Sequence, residues 1–174
     1  MLKYIANSEH YAEVLEKSLK VKKSLWIGTA DIKDLHIKSG IRDTQPYLAG
    51  LSQLIRNNIE VRLLFAKQPG QNFKNDFDKY PYLVKYLEKA ICLRVHFKIF
   101  VFDWKEVYIG SANLTGAGLG MKSENKRNFE AGILTDDEEI VSPAVHQFDE
   151  VWMGKYCNHC QRKDFCEIPI NKLF

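Results

Sequence analysis

Between His96 and Asn113 the chain reads His96-Phe97-Lys98-Ile99-Phe100-Val101-Phe102-Asp103, then Trp104 to Ile109, then Gly110-Ser111-Ala112-Asn113. No other stretch restricts the fold as much. Its first half is a strand by composition, rich in Phe, Ile and Val. Alternate residues of a strand share a face, so His96 and Lys98 stand side by side. An imidazole and an ammonium on an otherwise apolar strand are costly unless they serve something anionic. A short turn around Trp104-Lys105-Glu106 follows. Val107-Tyr108-Ile109 then returns antiparallel and delivers Gly110-Ser111-Ala112-Asn113 to the same end. One hairpin thus gathers a nucleophilic histidine, a cation, a hydroxyl and an amide, which are the parts for holding and attacking a phosphate.

The flanking sequence predicts alternating strands and helices. Asn7-Ser8-Glu9 has the composition of a helix cap, with Tyr11, Val14, Leu15 and Leu19 at helical spacing after it. Ser24 to Ala30 reads as a buried strand, and Asp31 to Gly40 as a strand extension or a loop. Pro46 opens a second helix with Leu48, Leu51 and Ile55 inward. Glu60 to Ala66 is a strand, Gln68 to Asn72 a turn or loop, and Pro81 starts a helix running to Ala90. Ala131 to Leu134 is a further strand. Ser142-Pro143 opens the last helix, with Val145, Phe148, Val151 and Trp152 on its face. This alternation implies an α/β domain, a mixed β-sheet flanked by helices, over residues 1–154. A cysteine-rich tail occupies 155–174. His10 and His146 read as helix-surface residues and His36 as a loop residue, while Trp26 and Trp152 read as core.

The pattern His-x-Lys-x4-Asp-x6-Gly-Ser-x-Asn, complete from His96 through Lys98, Asp103, Gly110 and Ser111 to Asn113, resembles the HKD motif of the phospholipase D superfamily. The resemblance implies a phospholipase D-like domain and a metal-independent phosphodiesterase. Relatives carry two such motifs per active site, facing each other across a twofold axis. This chain carries one copy in 174 residues, so the resemblance implies a homodimer with His96 opposite His96 of the partner. One histidine attacks phosphorus and forms a phosphohistidine; the other protonates the leaving oxygen and then activates water. That chemistry requires one neutral and one protonated imidazole, titrating as a coupled pair. Lys98 and Asn113 hold the non-bridging oxygens. Ser111 bonds phosphate or supports His96. Glu130, ahead of the strand Ala131–Leu134, matches a family glutamate that orients the histidine. Asp103 is more often structural in this family, tying the hairpin turn. No cofactor is expected for catalysis.

Cys157, Cys160 and Cys166 form a Cys-x2-Cys-x5-Cys run, and Cys92 completes a set of four. In a cytoplasmic chain such spacing points to a metal rather than to disulfides. The ligand sets that fit are an iron–sulfur cluster or zinc on four thiolates, or zinc on three with His159 as the alternative ligand. One distant cysteine plus a C-terminal triplet resembles the iron–sulfur staple of RecB-like nucleases. The expected role is structural, clipping the tail to the domain. An inert buried cysteine is the competing reading of Cys92.

Three functions remain in competition. The leading one is an endonuclease cutting DNA or RNA, since single-motif members of the superfamily are mostly nucleases. The basic run Lys122, Lys126 and Arg127 and a net charge of +3 are compatible with a polyanion. The second is a phospholipid phosphodiesterase of the cardiolipin type, against which stands the lack of an amphipathic membrane helix or membrane span. The third is a non-catalytic nucleic-acid-binding module, against which stands the intact motif. The N-terminus lacks the apolar core of a signal peptide, so the expected address is cytoplasmic.

Overall fold

The computed structural model describes residues 1–33, 35–38 and 43–166. Nine strands are described: β1 (Leu2–Ala6), β2 (Ser24–Thr29), β3 (His36–Lys38), β4 (Thr44–Pro46), β5 (Glu60–Phe65), β6 (Glu88–Ile91), β7 (Lys98–Phe102), β8 (Glu106–Gly110) and β9 (Ala131–Thr135). The helices are α1 (Tyr47–Arg56), α2 (Gln71–Phe77), α3 (Pro81–Tyr86) and α4 (Glu138–Trp152), preceded by a π-helical turn at Tyr11–Glu16. Seven strands form one mixed sheet in the order β1-β9-β8-β7-β2-β5-β6. The β2–β5 and β5–β6 pairings are parallel, and the others are antiparallel. β3 and β4 form a separate two-stranded ribbon.

The apolar residues divide between the two faces of this sheet. Ile5, Leu15, Leu25, Ile27, Leu63, Phe100, Phe102 and Tyr108 meet Leu51, Leu54 and Leu83 from α1 and α3 on one face. Trp26, Leu64, Ile99, Val101 and Val107 meet Val141, Phe148 and Trp152 of α4 on the other. β2 and β7 are therefore apolar on both sides and fully buried. That accounts for their continuous apolar runs, where a one-faced strand would alternate. The mixed sheet flanked by helices is the architecture that the sequence predicts.

Several elements depart from expectation. Residues 2–6 form an edge strand on β9; their short, partly polar run has little periodicity of its own. The helix after Pro81 ends at Tyr86, and Glu88–Ile91 is the strand β6. Parallel pairing of Arg62 with Glu88 through Phe65 with Ile91 outweighs helical propensity there. A helix, α2, begins at Gln71, so the last two residues of the expected loop at Gln68–Asn72 are helical. The last helix starts earlier: Asp137 caps it by accepting the Glu139 N–H at 3.0 Å, which leaves Ser142 and Pro143 inside the helix. His36 lies in β3 and not in a loop. His146 is exposed, as expected, and faces Glu150 across one helical turn. Asp34, Ser39 and Gly40 of the ambiguous stretch after β2, and the tail beyond Cys166, lie outside the described residues.

Candidate active site

β7 and β8 meet in a tight reversal at Asp103-Trp104. Both residues take left-handed φ values, 54° and 57°, and the Lys105 N–H returns to the Phe102 carbonyl at 3.0 Å. Left-handed values at both central residues give the turn the twist that suits a hairpin, with Asp103 to Lys105 connecting the paired strands. Pairing then runs Phe102 with Glu106 through Lys98 with Gly110. The hairpin thereby carries Lys98 and the Gly110-Ser111 turn to one end, opposite the Asp103 turn.

His96 sits just before β7, exposed at that end. The strand begins at Lys98, two residues later than the sequence predicts, so His96 lies just outside it. Phe97 points the other way, into the α4 side, with its ring 6.3 Å from that of Phe148. It also covers Gly28 of β2, where a Cβ would fall 2.3 Å from a Phe97 ring carbon. Only a glycine allows this approach. Lys98 is 7% exposed, and its ammonium donates to the His96 carbonyl at 2.7 Å. A buried ammonium so placed ties the backbone beneath the imidazole and leaves two further N–H donors for an anion.

Asn113 is aimed from the neighbouring strand end. Its Oδ1 accepts the Asp31 backbone N–H at 3.1 Å and the Thr29 hydroxyl at 3.3 Å. Because a backbone N–H can only donate, this fixes the amide orientation and turns the Nδ2 donors away from Asp31. The Thr29 hydroxyl also accepts the Leu114 N–H at 3.0 Å. The stretch after Asn113 is packed into the fold: Leu114, Thr115, Gly116, Gly118 and Leu119 are buried. Gly118 lies against the Asn113 carbonyl, where a Cβ would come within 2.7 Å.

Ser111 and Glu130 form a unit. The Ser111 hydroxyl donates to Glu130 Oε2 and accepts the Ala131 N–H at 3.1 Å. Asn128 donates to Glu130 Oε1 at 2.9 Å. Asn7 holds the Glu130 backbone from both sides, by its N–H to the Glu130 carbonyl at 2.9 Å and by its Oδ1 from the Glu130 N–H at 3.2 Å. The single hydroxyl proton of Ser111 is thus committed to a carboxylate. The serine is placed to brace Glu130, and a phosphate contact would require it to exchange that bond. Among the described residues the His96 ring takes no hydrogen bond.

Asp103 stands at the far end of β7. Its carboxylate accepts N–H groups of Lys22 at 2.9 and 3.0 Å, Lys23 at 2.6 Å and Ser24 at 3.0 Å. It fastens the entry to β2 onto the hairpin turn and does not reach His96. Burial raises its pKa, but the bonds from Ser24, Lys23 and Lys22 outweigh this and hold it below the ordinary carboxylate value.

Sequence reasoning missed the groups behind the site. His10, expected on a helix surface, is fully buried. Its Nδ1 lies 2.9 Å from the Asn7 carbonyl and its Nε2 2.7 Å from the Tyr108 hydroxyl. The carbonyl can only accept, so in the neutral ring Nδ1 carries the proton and Nε2 accepts from Tyr108. Burial lowers the His10 pKa and raises that of Tyr108. The Ala112 N–H approaches the same hydroxyl at 3.4 Å, so this pair lies directly under the Ser111–Asn113 turn. Thr29 and Asp31 carried one readable signal: they end a parallel-paired strand, where open α/β sheets place their sites. His10 and Asn7 carried none, being distant in sequence from what they hold, whereas Asn128 stands only two residues from Glu130.

The four cysteines are brought together elsewhere. Cys92, directly after β6, and Cys157, Cys160 and Cys166 line one small cavity. His159 is exposed and is not among its lining residues.

The family model described as cardiolipin synthase, PLD-like domain matches residues 9–152. No curated protein sequence matches the chain. Among solved structures, NucT from Helicobacter pylori superposes with a TM-score of 0.60 at 17% identity, over 86% of this chain and 95% of its own. A phospholipase D family member, Nuc from Salmonella typhimurium, gives 0.61 at 14% identity, over 87% and 93%. Phosphatidylserine synthase from Haemophilus influenzae gives 0.56 at 15%, over 86% of this chain and 38% of its own. At these identities the superpositions establish a shared fold.

Proposed function

The chain belongs to the phospholipase D-like family, and on that premise we propose that it is a metal-independent phosphodiesterase cutting nucleic acid at a site shared by two subunits. One observation carries the reading. His96, Lys98, Ser111, Asn113 and Glu130 converge at one end of the β7–β8 hairpin, and each chain supplies a single set.

In the proposed reaction His96 of one subunit attacks phosphorus, and the P–O bond to the leaving oxygen breaks as a P–N bond forms. His96 of the second subunit gives its proton to that oxygen. The same imidazole, now neutral, takes a proton from water, which attacks phosphorus and releases the first histidine. Lys98 and the Asn113 amide of both subunits stabilise the charge building on the non-bridging oxygens. Glu130, braced by Ser111 and Asn128, holds a carboxylate at the same end of the hairpin as His96. Asp103 takes no chemical part.

Nucleic acid is favoured as substrate by the surroundings of the site. Lys122, Lys126 and Arg127 precede Phe129, whose side chain is 97% exposed one residue before Glu130. Basic groups that track phosphates beside an open aromatic ring are the usual means of binding single strands. No described helix is long and apolar enough to cross a membrane.

The test is cleavage of labelled single- and double-stranded DNA and RNA in EDTA, with wild type beside His96→Ala and with mixtures of the two after subunit exchange. A shared site needs both histidines, so activity should fall with the square of the wild-type fraction. A linear fall, or a monomeric active species, would sink the shared site. Hydrolysis of cardiolipin vesicles with no cutting of nucleic acid would move the substrate to lipid. Binding without turnover on either would leave a binding module.

A further inference from the structure

We propose that Cys92, Cys157, Cys160 and Cys166 form a structural site for one zinc ion that clips the C-terminal tail beneath the loop leading to His96. The four residues come from two places, the end of β6 and the tail after α4, and line the same cavity of about 30 Å³. All four are half-buried thiols, none in a disulfide. Successive tight turns shape the tail around them. The Cys160 N–H bonds the Cys157 carbonyl at 3.2 Å, the Lys163 N–H the Cys160 carbonyl at 3.2 Å, and the Cys166 N–H the Lys163 carbonyl at 3.2 Å. Arg162 fastens this coil to the opposite wall, donating to the Leu93 carbonyl at 2.8 Å.

Size and charge select the occupant. The cavity is small: its free space of about 30 Å³ is on the order of what one or two water molecules require. It suits a single ion and would have to open to admit an eight-atom iron–sulfur cubane. On binding, four thiols release four protons to solvent and four sulfur–zinc bonds form, leaving a centre of charge −2. Arg94, Arg162 and Lys163 line the same cavity and balance that charge. Among the described residues no three potential ligands already stand in metal-holding geometry. Binding therefore turns the thiols inward about the centre that they already surround. His159, exposed at the outside of the turn, takes no part.

The placement has a consequence for the site. The Cys92 carbonyl accepts the Val95 N–H at 2.9 Å, in the turn that ends at His96. An ion on Cys92 anchors that turn to the tail.

The experiment is metal analysis of the untagged full chain by mass spectrometry, for wild type, Cys92→Ser, Cys160→Ser and His159→Ala, with circular dichroism to verify folding. Expected are one zinc per chain in wild type and His159→Ala, and at least a tenfold loss in both cysteine variants. Cobalt substitution of wild type should give the intense thiolate charge-transfer absorption of four sulfur ligands, which decides the matter even if Cys92→Ser does not fold. Metal-free wild type, zinc retained in the cysteine variants, or zinc lost in His159→Ala would overturn the proposal. Iron with equimolar sulfide in anaerobically prepared protein would overturn it in favour of a cluster. None of these readouts depends on phosphodiesterase activity.

Discussion

Replacing Asp103 with asparagine separates position from chemistry in the motif. Asparagine tolerates the left-handed φ of 54° at this turn as well as aspartate does, so no backbone strain is added. What changes is the carboxylate that accepts backbone N–H groups from Lys22, Lys23 and Ser24. Bonds to a charged acceptor contribute about 1.5–3 kcal/mol and neutral ones about 0.5–1.5, so each of the three weakens by about 1 kcal/mol. The group is partly exposed, and solvent screening reduces the sum to about 1–2 kcal/mol. For a domain of this size that is a fall in Tm of about 2–8 °C, at roughly 2–4 °C per kcal/mol. The folded pKa lies below the ordinary one, so the stabilisation is fully present above the unfolded value of about 3.9 and is lost as pH falls through the lower folded value. Thermal melts at pH 7 should therefore separate the two proteins, and the separation should shrink progressively as pH falls below about 3.9. Phosphodiesterase activity per folded molecule should stay within about twofold of wild type. An unchanged Tm with abolished activity would refute the reasoning and make Asp103 a participant in the reaction.

Other replacements test the site from different sides. Lys98→Met removes a buried ammonium, so melting should show Tm unchanged or raised, while kcat falls by at least about 10²–10³-fold from the lost oxyanion contact. Tyr108→Phe strands the His10 Nε2 that now lies 2.7 Å from the hydroxyl and should cost about 1–3 kcal/mol in denaturant unfolding. Burial lowers the His10 pKa, so its contribution is present above about pH 6.5 and is lost as pH falls through the lower folded value. His10→Gln should flatten that dependence, and an unaltered pH profile of stability would count against it. Phe129→Ala should weaken single-strand binding by about 1–3 kcal/mol, read by fluorescence anisotropy, with cleavage of a minimal phosphodiester retained.

The arrangement of the motif was legible because it is local. His96, Lys98, Gly110, Ser111 and Asn113 lie on one hairpin, and a strand repeat of two fixes which of them share an end. No distant residue has to be known to place them. Asp103 was legible as structural only through family resemblance; the spacing alone puts it in the motif without saying that its carboxylate faces Lys22–Ser24. β6 and β1 were not legible, because each is a short segment whose strand state comes from a partner, Arg62–Phe65 and Ala131–Thr135 respectively.

His10 shows the same limit at a single residue. A histidine between polar neighbours at the start of a helix reads as surface, and only the approach of Tyr108, 98 positions away, turns it into a buried support of the site. The aim of the Asn113 amide was likewise decided by Thr29 and Asp31 across the sheet. Sequence therefore determined which groups gather at one end of the β7–β8 hairpin, through covalent spacing and strand periodicity. Tertiary structure decided which way those groups face and what holds them, because orientation depends on hydrogen bonds and packing between segments far apart in the chain.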